Sequence, residues 1–233
     1  MWPPAKWATT PGCPYDVVAA TPRCVLCASV VKYKMEEKIK EILACRDKAC
    51  IDQPGLVRAA VLIPLFKKNG EYYVLLTRRT DKVGTHKGQI SFPGGKRDEG
   101  EDLLSTALRE AREEIGIAEK DVRILGELDD MCTFASDFCI APFVGLIPYP
   151  YPFKTNRLEI EEIIEVPLSV FLDEAKFREE LHIRNGEPVP VYFYQHNEHT
   201  VWGATARILK QLMDLVSRKD PKSPPGSGLS NGS

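Results

Sequence analysis

The acidic side chains between residues 101 and 114 are the part of this sequence best suited to chemistry. Glu110 and Glu114 are one helical turn apart, so both carboxylates project from one side of a helix, with Glu113 beside them. Like charges at this spacing repel each other, and a divalent cation relieves the repulsion because hard cations take oxygen ligands. The spacing therefore predicts a Mg²⁺ or Mn²⁺ site on this helix.

Two neighbouring features belong to the same predicted site. The Gly94-Gly95 pair precedes the helix and lets the backbone approach closely, so we expect a carbonyl there to reach the cation. Arg109 lies among the acids and is expected to orient a glutamate through a bidentate pair. The simpler alternative is a solvated acidic helix face, and residue by residue that interpretation would be preferred.

The whole segment from Gly95 to Ile117, however, resembles the Nudix box. That motif reads Gly, five residues, Glu, seven residues, Arg-Glu, an apolar residue, any residue, Glu-Glu, any residue, Gly and an apolar residue. Every fixed position of the motif is met in this chain. The matching residues are Gly95, Glu101, Arg109, Glu110, Glu113, Glu114 and Gly116.

The resemblance implies an α+β fold of the Nudix type, which is an α/β/α sandwich with a mixed β-sheet. It also implies metal-dependent hydrolysis of a nucleoside diphosphate linked to another moiety. The metal ligands implied by position are Gly95, Glu110, Glu113 and Glu114, and the catalytic or supporting residues are Glu113, Glu101 and Arg109.

A second signature lies just before the box. Leu75-Leu76-Thr77-Arg78-Arg79 and Phe92-Pro93-Gly94-Gly95 resemble the coenzyme A pyrophosphatase branch of the Nudix family, as do Glu165–Leu168 and Trp202–Arg207. This resemblance implies hydrolysis of coenzyme A, or its acyl derivatives, to 3′,5′-ADP and 4′-phosphopantetheine or its acyl form. The predicted substrate-binding residues are Arg78, Arg79, His86, Gln89 and Lys96.

The chain also departs from that branch. Gly84 stands where the branch usually has Arg, and Thr80 stands where it has Ser or Ala. Because an Arg would contact a substrate phosphate, other substrates such as ADP-ribose or NADH remain open, as does a non-catalytic nucleotide-sensing domain. The general base is also open, between the box glutamates and Glu159, Glu161, Glu162 and Glu165, an acidic run that we expect to be a solvated loop.

The elements that must position these residues follow from hydrophobic periodicity. Strands are predicted at 57–66, 72–77, 122–128, 140–147 and 189–194, and helices at 101–115, 168–174 and 203–216. Within the box helix, Leu104, Leu108, Ala111 and Ile115 form one apolar stripe that we expect to face the core. Strands interleaved with a few helices, without strict βαβ alternation, favour an α+β sandwich.

Composition limits the remaining possibilities. The predicted domain spans 35–216, after an irregular extension at 1–34 and before a disordered tail at 217–233 rich in Lys, Pro, Gly and Ser. A net charge of −2 and the absence of a long apolar run predict a cytoplasmic protein that binds small nucleotides and neither nucleic acid nor membrane.

Seven cysteines favour free thiols over a disulfide framework, and Cys24-Val25-Leu26-Cys27 with Cys45 and Cys50 leaves a zinc site as a less favoured alternative. Monomer and homodimer both remain open.

Overall fold

The computed structural model describes residues 35–81, 88–133, 137–184 and 186–217. His86 and Gly84 lie outside these ranges, as do the predicted extension at 1–34 and the tail beyond Ser217. What was predicted for them therefore stays a prediction.

The described residues contain three α-helices and eleven strands, joined by loops and short 3-10 helices. The helices are α1 (Met35–Ala44), α2 (Leu103–Ile115) and α3 (Gly203–Ser217). The strands are β1 (Val57–Lys68), β2 (Glu71–Arg79), β3 (Ile90–Ser91), β4 (Gly94–Lys96), β5 (Arg123–Glu127), β6 (Met131–Cys132), β7 (Phe138–Leu146), β8 (Ile160–Pro167), β9 (Phe177–Arg184), β10 (Glu187–His196) and β11 (His199–Trp202).

The large sheet is mixed and is built around β1. Its main order is β3-β2-β1-β7-β5, with β8 paired to β2, β4 to β1 and β6 to β7. β1 runs parallel to β7 and antiparallel to both β2 and β4. The first half of β1 pairs with β4, and its last residues pair with β2 across a turn at Asn69-Gly70.

Alternation along β1 explains how one sheet supports two cores. Successive side chains of a strand point to opposite faces. Ala60, Leu62 and Phe66 belong to the core under α2, whereas Ile63 and Leu65 belong to the core on the other face. Both sets are buried, so this strand reads as a nearly continuous apolar run instead of alternating with polar residues.

The helices cover both faces of the sheet. α2 packs on one face through Ala107, Ala111 and Ile115. On the other face α1 contributes Ile39 and α3 contributes Leu209 to one continuous core. The α/β/α sandwich with a mixed sheet is therefore confirmed.

The buried face of α2 differs slightly from the predicted stripe. Ala107, Ala111 and Ile115 are fully buried, whereas Leu104 and Leu108 are only half-buried. Two alanines on the contact face let the helix lie close to the sheet, so the larger leucines sit at the margins of the contact.

The acidic run at 159–165 is not a loop, and that prediction was wrong. Residues 160–167 form β8, which pairs antiparallel with β2. Ile160, Ile164 and Val166 are buried at alternate positions. The period of two was hidden because Glu162 stands in phase with the buried residues and the apolar Ile163 stands out of phase.

Two helix predictions also need correction. The helix predicted at 101–115 begins at Leu103, because Asp102 has extended backbone and caps it, so Glu101 lies in the preceding loop. The helix predicted at 168–174 is a short 3-10 helix at Leu168–Leu172 followed by another at Glu174–Lys176.

A separate three-stranded antiparallel sheet, in the order β11-β10-β9, follows these short helices. Its Tyr194 is buried in the same core as α3, against Phe171. Of these strands only β10 was predicted. Within the described ranges, none of the helices has the length and apolarity that crossing a bilayer requires.

Replacing Ile39 with Ala should lower the free energy of unfolding by about 2–5 kcal/mol, because the side chain is 1% exposed in the core that α1 shares with α3. Urea unfolding measures this change. The neighbouring Lys40→Ala, at an exposed position of the same helix, should change it by no more than about 0.5 kcal/mol. Equal effects of the two variants would mean that α1 is not part of the cooperative unit.

Candidate active site on helix α2

Both ends of α2 are fixed by specific caps. At the start, the carboxylate of Asp102 accepts a hydrogen bond from the backbone N–H of Ser105 at 3.0 Å. At the end, Gly116 has a φ of 73°, and its N–H donates to the carbonyl of Arg112. A side chain at Gly116 would lie 2.9 Å from the backbone oxygen of Lys154, so a glycine is required there for two reasons.

Arg109 is hydrogen-bonded to three glutamates of the box. Its guanidinium donates from Nε and Nη2 to both carboxylate oxygens of Glu101, at 3.0 and 3.2 Å. Its Nη1 donates to Glu110 at 2.8 Å and to Glu113 at 3.2 Å. Its Nη2 also donates to the carbonyl of Lys96, which ties α2 to β4. Arg109 thus holds three carboxylates and one backbone carbonyl together.

The hydrogen bonds of Glu101 make it a support for the loop before α2. Besides Arg109, its carboxylate accepts from Thr106 Oγ1 at 2.8 Å and from the backbone N–H of Asp98 at 3.4 Å. The Arg109 guanidinium is the largest influence that lowers the pKa of Glu101 below its usual value. Glu101 therefore remains an anion, and it fixes Arg109 against the helix.

Glu114 is the most unusual residue of the site, because its carboxylate is buried. The residue is 3% exposed, and its nearest recorded partners are the Arg79 guanidinium and the backbone N–H of Gly94, both at 3.4 Å. Burial raises the pKa of Glu114 to about 8, and the charges of Glu110 and Glu159 add to this rise. A buried carboxylate with two long contacts is poorly compensated.

Glu110 lies against the glycine pair. A Cβ built on Gly95 would come within 2.5–2.7 Å of the Glu110 carboxyl atoms, so the missing side chain is what makes room for this carboxylate. Burial raises the pKa of Glu110, and the neighbouring Arg109 opposes that rise. Glu113, by contrast, has a side chain that is 52% exposed.

A fifth carboxylate, that of Glu159, belongs to a segment that follows α2 in the chain. Glu159 acts electrostatically on both Glu110 and Glu114, and raises the pKa of each. Its backbone carbonyl accepts from the N–H of Thr80 at 2.8 Å, at the end of β2. Its Oε1 accepts from the side chain of Asn156 at 3.1 Å.

The segment that carries Glu159 is attached to the end of α2. The N–H groups of Lys154 and Asn156 donate to the carbonyls of Ile115 and Glu114, at 3.0 and 2.9 Å. These carbonyls have no partner within the helix, because the last turn of any helix leaves its carbonyls free. We call residues 154–159 the strap.

The predicted substrate-binding residues separate into different surroundings. Arg79 contacts Glu114, whereas Arg78 pairs with Glu162 at 3.0 Å and with Glu161 at 3.5 Å. Lys96 is exposed on β4. The carbonyl of Gln89 accepts from the N–H of Arg79, which places Gln89 beside the end of β2.

The donor set fits a hard divalent cation, although its carboxylates are not arranged as a closed cage. Over the ranges that the structure describes, no three His, Cys, Asp or Glu side chains converge as ready-made ligands. Arg109 lies between Glu110 and Glu113 and compensates part of their charge. The poorly compensated Glu114, with Glu110 seated on Gly95, is the combination that a cation with oxygen ligands would stabilise.

Sequence reasoning found the acids of α2 but missed two contacts of the site. Arg79 was expected to bind substrate only, and its approach to Glu114 joins residues far apart in the chain. Glu159 was one of four candidates outside the box for a general base, beside the box glutamates. Of the others, Glu161 and Glu162 pair with Arg78, and Glu165 pairs with Lys68 at 2.6 Å.

Several known proteins are similar to this chain in sequence. A family model described as the NUDIX domain matches residues 56–164. An uncharacterized Nudix hydrolase NudL of Photorhabdus laumondii is 38% identical over 159 residues, which cover 68% of this chain and 84% of that protein. A protein of the same name from Yersinia pestis is 40% identical over 162 residues, covering 69% of this chain and 80% of its own length.

A solved structure is similar over a longer stretch. The crystal structure of a MutT/nudix family protein from Enterococcus faecalis matches 82% of this chain and 73% of its own, with a TM-score of 0.50 and 13% identity. At this identity the likeness concerns the fold alone.

Without divalent ions, the stability of the protein should fall as the pH rises. Folded Glu114 keeps its proton up to about pH 8, whereas the unfolded chain releases it near the ordinary pKa of 4.5. Between these values the folded state binds more protons, so the free energy of unfolding decreases with increasing pH. The rise of the Glu114 pKa from 4.5 to about 8 corresponds to a loss of at most about 5 kcal/mol in the free energy of unfolding.

Glu114→Gln tests this expectation, because it keeps the size of the side chain and cannot ionise. In urea unfolding with a chelator, the variant should gain stability relative to the wild type between about pH 5 and pH 8. Adding Mg²⁺ or Mn²⁺ at the higher pH should raise the melting temperature of the wild type more than that of the variant. A difference between the two proteins that is independent of both pH and metal would refute a poorly compensated carboxylate.

Proposed function

Because the chain belongs to the Nudix hydrolase family, we propose that it cleaves the diphosphate of coenzyme A or of its acyl derivatives. The products are 3′,5′-ADP and 4′-phosphopantetheine or its acyl form. As a Nudix hydrolase, the chain is a diphosphatase that acts on phosphorus-containing anhydrides of small nucleotides. The choice of coenzyme A among these substrates is our proposal.

One observation carries this choice: both parts of the signature that resembles the coenzyme A branch contact the same box carboxylate. Arg79 closes the Leu-Leu-Thr-x-Arg part, and Gly94 belongs to the Phe-Pro-Gly-Gly part. Both lie 3.4 Å from Glu114. The segment that distinguishes the branch is therefore in direct contact with the residues that distinguish the family.

Charge supports a polyanionic substrate. Arg79 and Lys96 carry positive charge beside the carboxylates, at the ends of β2 and β4. Coenzyme A has a 3′-phosphate in addition to its diphosphate, so it offers more charge to such residues than ADP-ribose or NADH does.

The metal site that we propose uses the carboxylates of Glu110 and Glu114 and the carbonyl of Gly95, with Glu113 as a further ligand. Nudix hydrolases generally use divalent metal ions such as Mg²⁺. A divalent ion bound there supplies positive charge that stabilises the negative charge developing on the phosphoryl oxygens. Arg109 and Glu101 act as positioning residues, since they fix the direction of Glu110.

We assign the general base to Glu159. It is the candidate outside α2 whose charge acts on both Glu110 and Glu114, and the strap and Thr80 hold its backbone in place. Asn156 occupies its Oε1. Its Oε2 is the atom that accepts a proton from the attacking water.

The substrate assignment is tested with purified protein and a panel of coenzyme A, acetyl-coenzyme A, dephospho-coenzyme A, ADP-ribose and NADH, each with Mg²⁺ and with Mn²⁺. Mass spectrometry identifies the products. We expect kcat/KM for coenzyme A to exceed that for dephospho-coenzyme A by about tenfold or more, because one charge-assisted contact to the 3′-phosphate contributes about 1.5–3 kcal/mol. Faster hydrolysis of ADP-ribose or NADH would contradict the proposal.

The role of Glu159 is tested with Glu159→Gln. Loss of a general base should lower kcat by about 10²–10⁴-fold. Glu161→Gln is the matched control, since Glu161 pairs with Arg78 and is expected to retain most activity. Equal kcat values for both variants would exclude Glu159 as the base. Loss of hydrolysis in Glu114→Gln would separately support the metal site.

A further inference from the structure

Strand β9 is an exposed edge of the small sheet. Among the described strands it pairs only with β10, at the end of the order β11-β10-β9. Its first residue, Phe177, packs on Tyr192 and Tyr194, whereas Leu181 and Ile183 are 67% and 71% exposed. The outer half of this strand therefore carries two large apolar side chains that nothing in the described part of the chain covers.

The backbone of β9 can accept another strand. Along an antiparallel strand, hydrogen-bonded and non-hydrogen-bonded pairs alternate, so every second residue directs its N–H and C=O away from β10. Natural proteins usually protect such an edge, because it is a template for pairing with another chain.

The sequence of β9 is complementary to itself. If two copies of β9 pair antiparallel around a two-fold axis, even-numbered residues face even-numbered residues and odd-numbered residues face odd-numbered ones. The axis then passes between the two copies of a single residue. An axis at Glu180 places this carboxylate opposite its own copy, and an axis at Leu181 places Arg178 opposite Arg184. Both arrangements oppose like charges.

An axis at His182 avoids these conflicts. It places Glu180 opposite Arg184 and Leu181 opposite Ile183, and each of these pairs occurs twice by symmetry. Within its own strand Glu180 already pairs with Arg178 and with His182, so the Arg184 of the second copy is a third partner for this carboxylate. Opposite charges and apolar side chains directly across a strand pair stabilise the pairing. No ion pair is recorded for Arg184 within the described residues, so this exposed guanidinium is available for the contact.

We propose that two copies of this chain associate through their β9 strands, antiparallel, with His182 on the two-fold axis. The occupant of the edge is a second copy, because a foreign partner would not require β9 to complement its own reversed sequence. The association joins two three-stranded sheets into one continuous six-stranded sheet and covers Leu181 and Ile183.

Charge exchange tests the pairing in the full-length protein. Sedimentation equilibrium over a concentration series should show a monomer–dimer equilibrium for the wild type. Glu180→Arg and Arg184→Glu should each raise the dimer dissociation constant by about tenfold or more, because each creates two like-charged pairs. The double variant should restore association to near the wild-type value. Circular dichroism verifies that each variant is folded, since Arg184 is exposed whereas Glu180 is half-buried.

The register is tested by a single cysteine. His182→Cys places two thiols opposite each other at the axis, so mild oxidation should give a covalent dimer on a non-reducing gel. Glu179→Cys, on the same strand but away from the axis, and the wild type with its native cysteines are the controls. A wild type that stays monomeric, a double variant that does not recover, or equal cross-linking of His182→Cys and Glu179→Cys would each overturn the proposal.

Discussion

The burial of the Glu114 carboxylate is the constraint around which the active face is arranged. Glu114 lies on the side of α2 that meets the sheet, next to Ala111 and Ile115, where an apolar residue would ordinarily stabilise the fold. Burial raises its pKa to about 8, and the two recorded contacts to its carboxylate are long. The free energy lost by burying this carboxylate is offset by the surrounding core, which is large and continuous on both faces of the sheet. A site that binds a doubly charged ion gains from such a residue, since a carboxylate removed from water interacts more strongly with a cation than an exposed one does.

Arg109 and Arg79 compensate the negative charge of different carboxylates. Arg109 is bound to Glu101, Glu110 and Glu113 along the outer side of α2. Arg79 reaches Glu114 from β2, on the inner side. The two guanidinium groups therefore hold opposite sides of the cluster, and neither contacts all of its carboxylates. Glu110 and Glu114 are the two acids of α2 whose pKa values are raised, in both cases mainly by burial.

The chemistry of α2 could be predicted from the sequence because it is local. Glu110, Glu113 and Glu114 are fixed relative to one another by helical geometry, and the sandwich fold follows from the family resemblance. The contacts of Glu114 with Arg79, and its proximity to Glu159, could not be predicted, because they depend on how β2 and the strap meet the helix. β8 and β9 were missed for a different reason: Glu162 in β8 and Glu179 in β9 stand in phase with the apolar residues and interrupt the alternation by which strands are recognised. The start of α2 was misplaced by two residues, since the capping role of Asp102 becomes clear only from its backbone conformation.

The attachment of the strap to the last carbonyls of α2 makes two distant parts of the chain a single mechanical unit. The carbonyl of Glu114 accepts from Asn156, while the side chain of Asn156 holds Glu159. These two hydrogen bonds fix Glu159 relative to the last turn of α2, so the two acids share one support although they are 45 residues apart in the chain.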